Sequence, residues 1–318
     1  MSSEETIGVD LGGTKMQVGV LAATEPLWES REASTGQGED ELVELLVREV
    51  CAARDARPAV TAVGLGVPAT IDHDRGIAVS AVNLPLSDLP LRDLVQERVG
   101  LPVVVDNDAN VAAYAEFLYG AGQGMTDIVM LTIGTGIGGG LVLGGELYRG
   151  ATGAGAELGH MVIQADGPPC QGNCPNHGCV EALASGTALG REGRAAAESN
   201  PESEIGRRLA AGETVDGRAV TDAALAGDAT AIAVFDLIGS RLGVACANYA
   251  NIFEPNAIVV GGGVIAAGDL LLEPARSEVR ERALRPMNET PILAATMGND
   301  AGMIGAAALA RTELGKGS

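Results

Sequence analysis

The chain has 318 residues, 46% hydrophobic and 20% charged, which is enough for two lobes with their own cores and too apolar for a disordered chain. Its net charge of −21 argues against nucleic-acid partners, because phosphates would be repelled rather than neutralised. Residues 1–5, MSSEE, carry neither a basic nor an apolar leader, and apolar windows such as AIVVGGGVIAAG (257–268) are too short and glycine-rich to span a bilayer. The expected setting is the reducing cytoplasm, with no membrane partner.

In chain order, TIGVDLGGTKMQVGVLA predicts a strand over Ile7–Asp10, a turn at Gly12 and Gly13, and a second strand over Met16–Leu21. Leu42, Leu45, Leu46 and Val50 recur at helical spacing within 39–56. AVTAVGLGVPA is a short apolar strand ended by Pro68. Val103–Val105 is a buried strand, followed by the polar turn DNDAN and a helix from about Asn110. DIVMLTIGTGIGGGLVLGG repeats the opening pattern, with a strand into Gly134-Thr135-Gly136 and a strand out through Gly138–Leu143; two lobes of related architecture follow from that repeat. The Ala-rich, charged region 190–230 predicts peripheral helices. AIVVGGGVIAAG predicts a strand, a turn at Gly261, Gly262 and Gly263, and a helix start, and AGMIGAAALARTEL a small-residue terminal helix. Cys51 and Cys246 fall in apolar helical patterns and are expected in the core.

Three glycine turns thus follow strands. Glycine lets backbone N–H groups approach a phosphate without an intervening Cβ, although any one such turn is equally a plain connection. None fits a dinucleotide fingerprint or a P-loop. Together they suit a nucleoside triphosphate, with Asp10 holding Mg2+ directly or through water and Thr14 or Lys15 touching phosphate. The segment Asp106, Asn107, Asp108 and Asn110 closes a buried strand, where α/β proteins place ligands. A helix cap needs only one of those side chains, so the surplus reads as a ligand site. Cys170, Cys174 and Cys179 fall within ten residues of a Pro/Gly-rich loop, a pattern that in a reducing compartment means metal or redox chemistry more often than disulfides.

DLGGTK, DNDAN, LTIGTGIGGG, AELGHM, the cysteine loop ending in GCVEALASG and the terminal GNDAGMIGAAALA together resemble the ROK family of sugar kinases, in register over essentially the whole chain. Within it the likeness is nearest to bacterial glucokinases. The resemblance implies an α/β, two-lobed, actin-like (ribonuclease H-like) sugar kinase fold. The small lobe would comprise 1–115 plus 301–318, and the large lobe 116–300 would carry the zinc loop, the adenosine-side turn and the oligomer contacts. It implies phosphorylation of a hexose at the 6-hydroxyl, with ATP and Mg2+ as cofactors, glucose as the expected sugar, and a homodimer or homotetramer. Fructose, N-acetylglucosamine, N-acetylmannosamine or allose are the alternative sugars, polyphosphate an alternative donor, and a non-catalytic sugar sensor the rival of another class.

Carried over by position, Asp10, Gly12, Gly13, Thr14, Lys15, Thr135 and Gly136 would line the phosphates and Mg2+, and Gly261–Gly263 the adenosine. Asn107 and Asp108 would bind sugar hydroxyls, with Asp108 as catalytic base; Glu157, His160 and Glu181 would complete the sugar site. His160, Cys170, Cys174 and Cys179 would hold a structural Zn2+, the tetrahedral donor set that metal favours, with His177 a rival fourth ligand inside the loop. Two features depart from the family. Cys170 and Cys174 are separated by Gln-Gly-Asn, with Pro175 following, instead of the usual Cys-x-Cys-Gly. Ala69 stands where many members have glycine beside the sugar, and Asn83 is a further rim candidate.

Overall fold

The computed structural model describes residues 4–36 and 38–314. The chain forms two compact units, 1–124 with 140–156 and 297–318, and 125–139 with 157–296. The first unit thus takes in residues 140–156, beyond the 1–115 and 301–318 expected for the small lobe.

The first unit begins with β1 (Thr6–Leu11), β2 (Lys15–Leu21), β3 (Pro26–Ala33), α1 (Glu39–Ala56) and β4 (Val63–Val67). A small three-stranded sheet follows, β5 (Ala69–Asp72), β6 (Ile77–Ala81) and β7 (Ser87–Leu89), then α2 (Leu91–Val99), β8 (Val103–Asn107) and α3 (Asp108–Tyr119). The main sheet has the order β3-β2-β1-β4-β8, with β2 antiparallel to β1 and β4 parallel to both β1 and β8. β1 and β4 are near-continuous apolar runs because both faces of the central strands are covered. Leu42, Leu46 and Val50 of α1 pack into the same core as Ile7, Val9 and Leu65.

β9 (Ile128–Ile133), β10 (Ile137–Leu143) and β11 (Glu146–Leu147) follow, and the chain passes from one unit to the other within β10. The second unit continues with α4 (Val180–Ala184), α5 (Gly186–Ser199), α6 (Glu204–Ala210), α7 (Gly217–Leu225), α8 (Ala229–Phe253), β12 (Ala257–Gly261), α9 (Asp269–Arg282) and β13 (Ile292–Ala294). The second sheet, β11-β10-β9-β12-β13, repeats the strand order of the first, with β12 parallel to both β9 and β13. The repeat seen in sequence is therefore a repeat of sheet topology. The triple-glycine turn leads into a 3-10 turn at Gly263–Ala267 before α9, rather than directly into an α-helix. α8 corrects the expectation that no apolar stretch is long enough to cross a membrane. It qualifies by length and composition, but half of its most apolar window is buried, and it packs against α4, α5, α7 and α9. Cys246 is fully buried in α8, and Cys51 is half-buried against the first unit's core.

The chain closes with α10 (Ala301–Leu314) in the first unit. Its small side chains let it lie close on β1, β4 and α3, and every residue from Ala301 to Ala310 is buried. Among its closest neighbours is the carboxylate of Asp10. A Cβ on Gly302 would stand 2.6 Å from Asp10 Cγ and 2.7 Å from Oδ2, so only glycine leaves that carboxylate in place.

Candidate active site

In the first unit, Asp10 is the last residue but one of β1, at the mouth of the Gly12–Lys15 turn. The turn is tightly fixed. Gly12 N–H donates to the Lys15 carbonyl at 3.0 Å, Ser34 Oγ to the Gly12 carbonyl at 2.6 Å, and Ser34 N–H to the Thr14 carbonyl at 3.2 Å. Thr14 and Lys15 are exposed and Asp10 half-buried. Asn83 lies against this same turn, its Cβ 3.1 Å from where a side chain on Gly13 would begin. Burial, and then the nearby charge of Asp108, push the Asp10 carboxyl up to about 7, against the opposing effect of Lys15. A carboxylate whose ionisation is opposed by burial and by a neighbouring carboxylate, beside a phosphate-type turn, is a hard oxygen donor. That chemistry fits Mg2+, which would return Asp10 to the ionised form.

The four polar groups of DNDAN separate into distinct tasks. Asn107 caps α3, its Oδ1 accepting from Ala109 N–H at 2.9 Å and Asn110 N–H at 3.3 Å. Its Nδ2 donates to the carbonyl of Ala69 at 3.3 Å, so this residue at the position of the missing glycine holds the cap through its backbone. With Asn107 as cap, the helix begins at Asp108, two residues before the expected start. Asp106 is 1% exposed; its Oδ1 accepts from Asn107 N–H and Asn110 Nδ2, each at 2.8 Å, and its Oδ2 from Arg149 Nε at 2.6 Å. Arg149 also donates to Glu313 at 2.6 Å, and Glu313 faces His73 Nε2 at 3.5 Å. Asp106 and Asn110 are therefore internal supports. Asp108 stands in the first turn of α3, its Oδ1 accepting from Ala109 N–H at 2.9 Å, close enough to Asp10 to raise the pKa of that carboxyl.

In the second unit, two glycine turns meet. Gly262 sits against the Ile133 backbone at the end of β9, which brings Gly261–Gly263 beside Gly134–Gly136. Thr135 is exposed at the tip. Glu181, in the first turn of α4, accepts from Ile137 N–H at 2.8 Å, and a Cβ on Gly136 would fall 2.3 Å from its Oε2. Its carboxylate is thus seated directly on the phosphate-type turn.

His160 ends a 3-10 turn, Leu158–His160, which Tyr249 of α8 anchors by donating to the Leu158 carbonyl at 2.6 Å. One face of its imidazole looks to the cysteines, with Nδ1 3.5 Å from Cys170 Sγ; the other looks to Glu157, with Nε2 3.9 Å from Oε2. Burial raises the Glu157 carboxyl pKa, with His160 opposing and Glu181 adding to the rise. Ligand atoms of His160, Cys170, Cys174 and Cys179 all lie within 4.8 Å of one another, and the Cys174 and Cys179 sulfurs are 3.8 Å apart. Tetrahedral zinc with ordinary bond lengths needs about 3.8 Å between sulfurs and about 3.6 Å between sulfur and nitrogen. The donor set fits zinc in both chemistry and spacing. His177 instead points Nδ1 at the Gly167 carbonyl, 3.3 Å away, outside the cluster.

Arg149 and Gln171 escaped the sequence reading. Arg149 is a lone cation in a loop, 43 residues from its partner Asp106. Gln171 was visible only as part of the unusual cysteine spacing, and its side chain reaches the Thr135 carbonyl at 3.2 Å.

A sheet with two antiparallel strand pairs leading into parallel strands, built twice in one chain with a glycine turn after each first strand, defines the actin-like ATPase class. The model of the ROK family matches residues 6–313, and the chain belongs to the ROK family. It is 37% identical to a glucokinase of Halalkalibacterium halodurans, over 96% of this chain and 94% of that one. A glucokinase of Streptomyces coelicolor is also 37% identical, over 96% and 97%. A crystal structure of a ROK family glucokinase from Streptomyces griseus, in complex with glucose and AMPPNP, superposes with a TM-score of 0.84 at 38% identity, covering 97% of this chain and 99% of that one.

Proposed function

We propose that this chain is an ATP-dependent hexokinase that transfers the γ-phosphoryl group of ATP to the 6-hydroxyl of glucose. The observation that carries the reading is the placement of Asp108 in the first turn of α3, close enough to Asp10 to raise the pKa of that carboxyl. Asp106 and Asn110 support the fold, Asn107 caps the helix with its Oδ1 and keeps a second amide hydrogen, and Asp108 stands at the head of that helix with Asp10 within electrostatic reach. The similarity to glucokinases over nearly the whole chain supports glucose as the acceptor.

In this mechanism Asp108 accepts the 6-hydroxyl proton as that oxygen attacks the γ-phosphorus. The new O–P bond forms as the bond to the β,γ-bridging oxygen breaks, and ADP leaves with the electron pair. Glu157, His160, Glu181 and the Asn107 amide orient the sugar. The turns at Gly12–Lys15 and Gly134–Gly136 aim backbone N–H groups at the phosphates, and Gly261–Gly263 receives the adenosine. Asp10, with Asp108 nearby, would hold Mg2+, which neutralises charge on the triphosphate. His160, Cys170, Cys174 and Cys179 would hold Zn2+, which fixes the loop carrying Glu181 and leaves the second imidazole nitrogen for the sugar.

The test is a coupled ADP assay on the purified chain with glucose, fructose, N-acetylglucosamine, N-acetylmannosamine and allose. Glucose is expected to give the highest kcat/KM. Preference for another sugar would assign the Ala69 departure to specificity, and no ADP release with any sugar would overturn the reading.

A further inference from the structure

The Gln-Gly-Asn spacer between Cys170 and Cys174 does more than lengthen the cysteine loop. Its first residue turns towards the phosphate-type turn of the same unit. Gln171 Nε2 donates to the Thr135 carbonyl at 3.2 Å and lies 3.2 Å from Ser185 Oγ, the side chain that caps α5 through Ala188 N–H. The same Thr135 carbonyl accepts from Thr187 Oγ1 at 2.8 Å, and the neighbouring Gly134 carbonyl from Gly186 N–H at 2.8 Å. A carbonyl gripped by two donors fixes the rotation of its peptide plane. Because the peptide is planar and trans, the Gly136 N–H on the opposite edge takes a set direction as well. Glu181 fixes the next amide, Ile137 N–H.

Resting on the function proposed above, we infer that Gln171 is a positioning residue for the nucleotide, holding the Thr135–Gly136 peptide where it can meet the phosphates. The cysteine loop would then serve both halves of the reaction, presenting Glu181 and His160 to the sugar and Gln171 to the ATP side.

The experiment compares the full-length wild-type chain with Gln171→Ala and Gln171→Glu, and with Asn173→Ala, an exposed change in the same spacer. Dissociation constants for AMPPNP and glucose are measured by calorimetry, and KM for each substrate by the coupled assay. Loss of one neutral hydrogen bond predicts that Gln171→Ala raises the AMPPNP Kd and ATP KM by about threefold to tenfold. The glucose constants should stay unchanged, and Asn173→Ala should be silent. Gln171→Glu keeps the shape but cannot donate, so it should weaken nucleotide binding at least as much as the alanine variant; a space-filling role would spare it. Unchanged nucleotide constants, or equal losses for nucleotide and glucose, would overturn the inference. A wild-type chain that binds no nucleotide would instead overturn the functional reading beneath it.

Discussion

Replacing Arg149 with methionine removes the cation that faces Asp106, a buried carboxylate of the first unit. Asp106 is 1% exposed and the Arg149 side chain 17%, so the pair is largely shielded from solvent. Stripping one partner from a buried ion pair costs about 3–5 kcal/mol, chiefly from the charge left behind. Asp106 would keep two donors, Asn107 N–H and Asn110 Nδ2, which places the expected loss near the lower end, about 3 kcal/mol. For a chain of this size that corresponds to a fall of about 4–5 °C in the unfolding midpoint. The assay is a double-mutant cycle by thermal or urea unfolding with Arg149→Met, Asp106→Asn and both together. Removing both charges should recover part of the loss, with a coupling of at least about 1 kcal/mol. A loss in Arg149→Met below about 1 kcal/mol, or strictly additive losses, would show that the pair does not support the strand end and helix start that present Asp108.

Gly302→Ala would drive a methyl group against Asp10, whose carboxylate oxygens lie 2.7 and 3.0 Å from the new carbon. Small displacements of catalytic groups cost about tenfold to a hundredfold, and here the loss should appear in kcat together with a higher Mg2+ requirement; unchanged Mg2+ dependence would contradict the placement of Asp10. Metal analysis of the purified chain should find about one zinc per chain, and Cys174→Ser or chelation should raise the glucose KM with loss of that zinc. A zinc-free chain with the same glucose KM would refute the role given to the cysteine loop.

The glycine turns, the first strand pair and α1 were legible in the sequence, because short apolar runs broken by glycine and a helical stripe are local signals. α8 was legible only as the apolar helical pattern around Cys246 and not as a helix of 25 residues, because small buried residues such as Gly239, Gly243 and Ala247 lie among Phe235, Ile238, Leu242 and Tyr249 and blur its stripe. The small sheet β5–β7 went unseen because its strands, three to five residues long, carry no sustained alternation. In DNDAN the sequence showed a surplus of polar groups but not which group did what. That assignment came from partners far along the chain, Arg149 for Asp106 and the Ala69 carbonyl for Asn107. The cysteine cluster was readable as a donor set and His160 as its fourth member through the likeness of AELGHM, whereas the 3-10 turn that brings His160 to Cys170 was not.

The most direct measurement is the turnover of Asp108→Asn alongside its affinity for glucose. Loss of a general base typically costs about a hundredfold to ten-thousandfold, so kcat should fall at least about a hundredfold while glucose still binds. Turnover close to that of the unaltered chain would contradict the account at its centre.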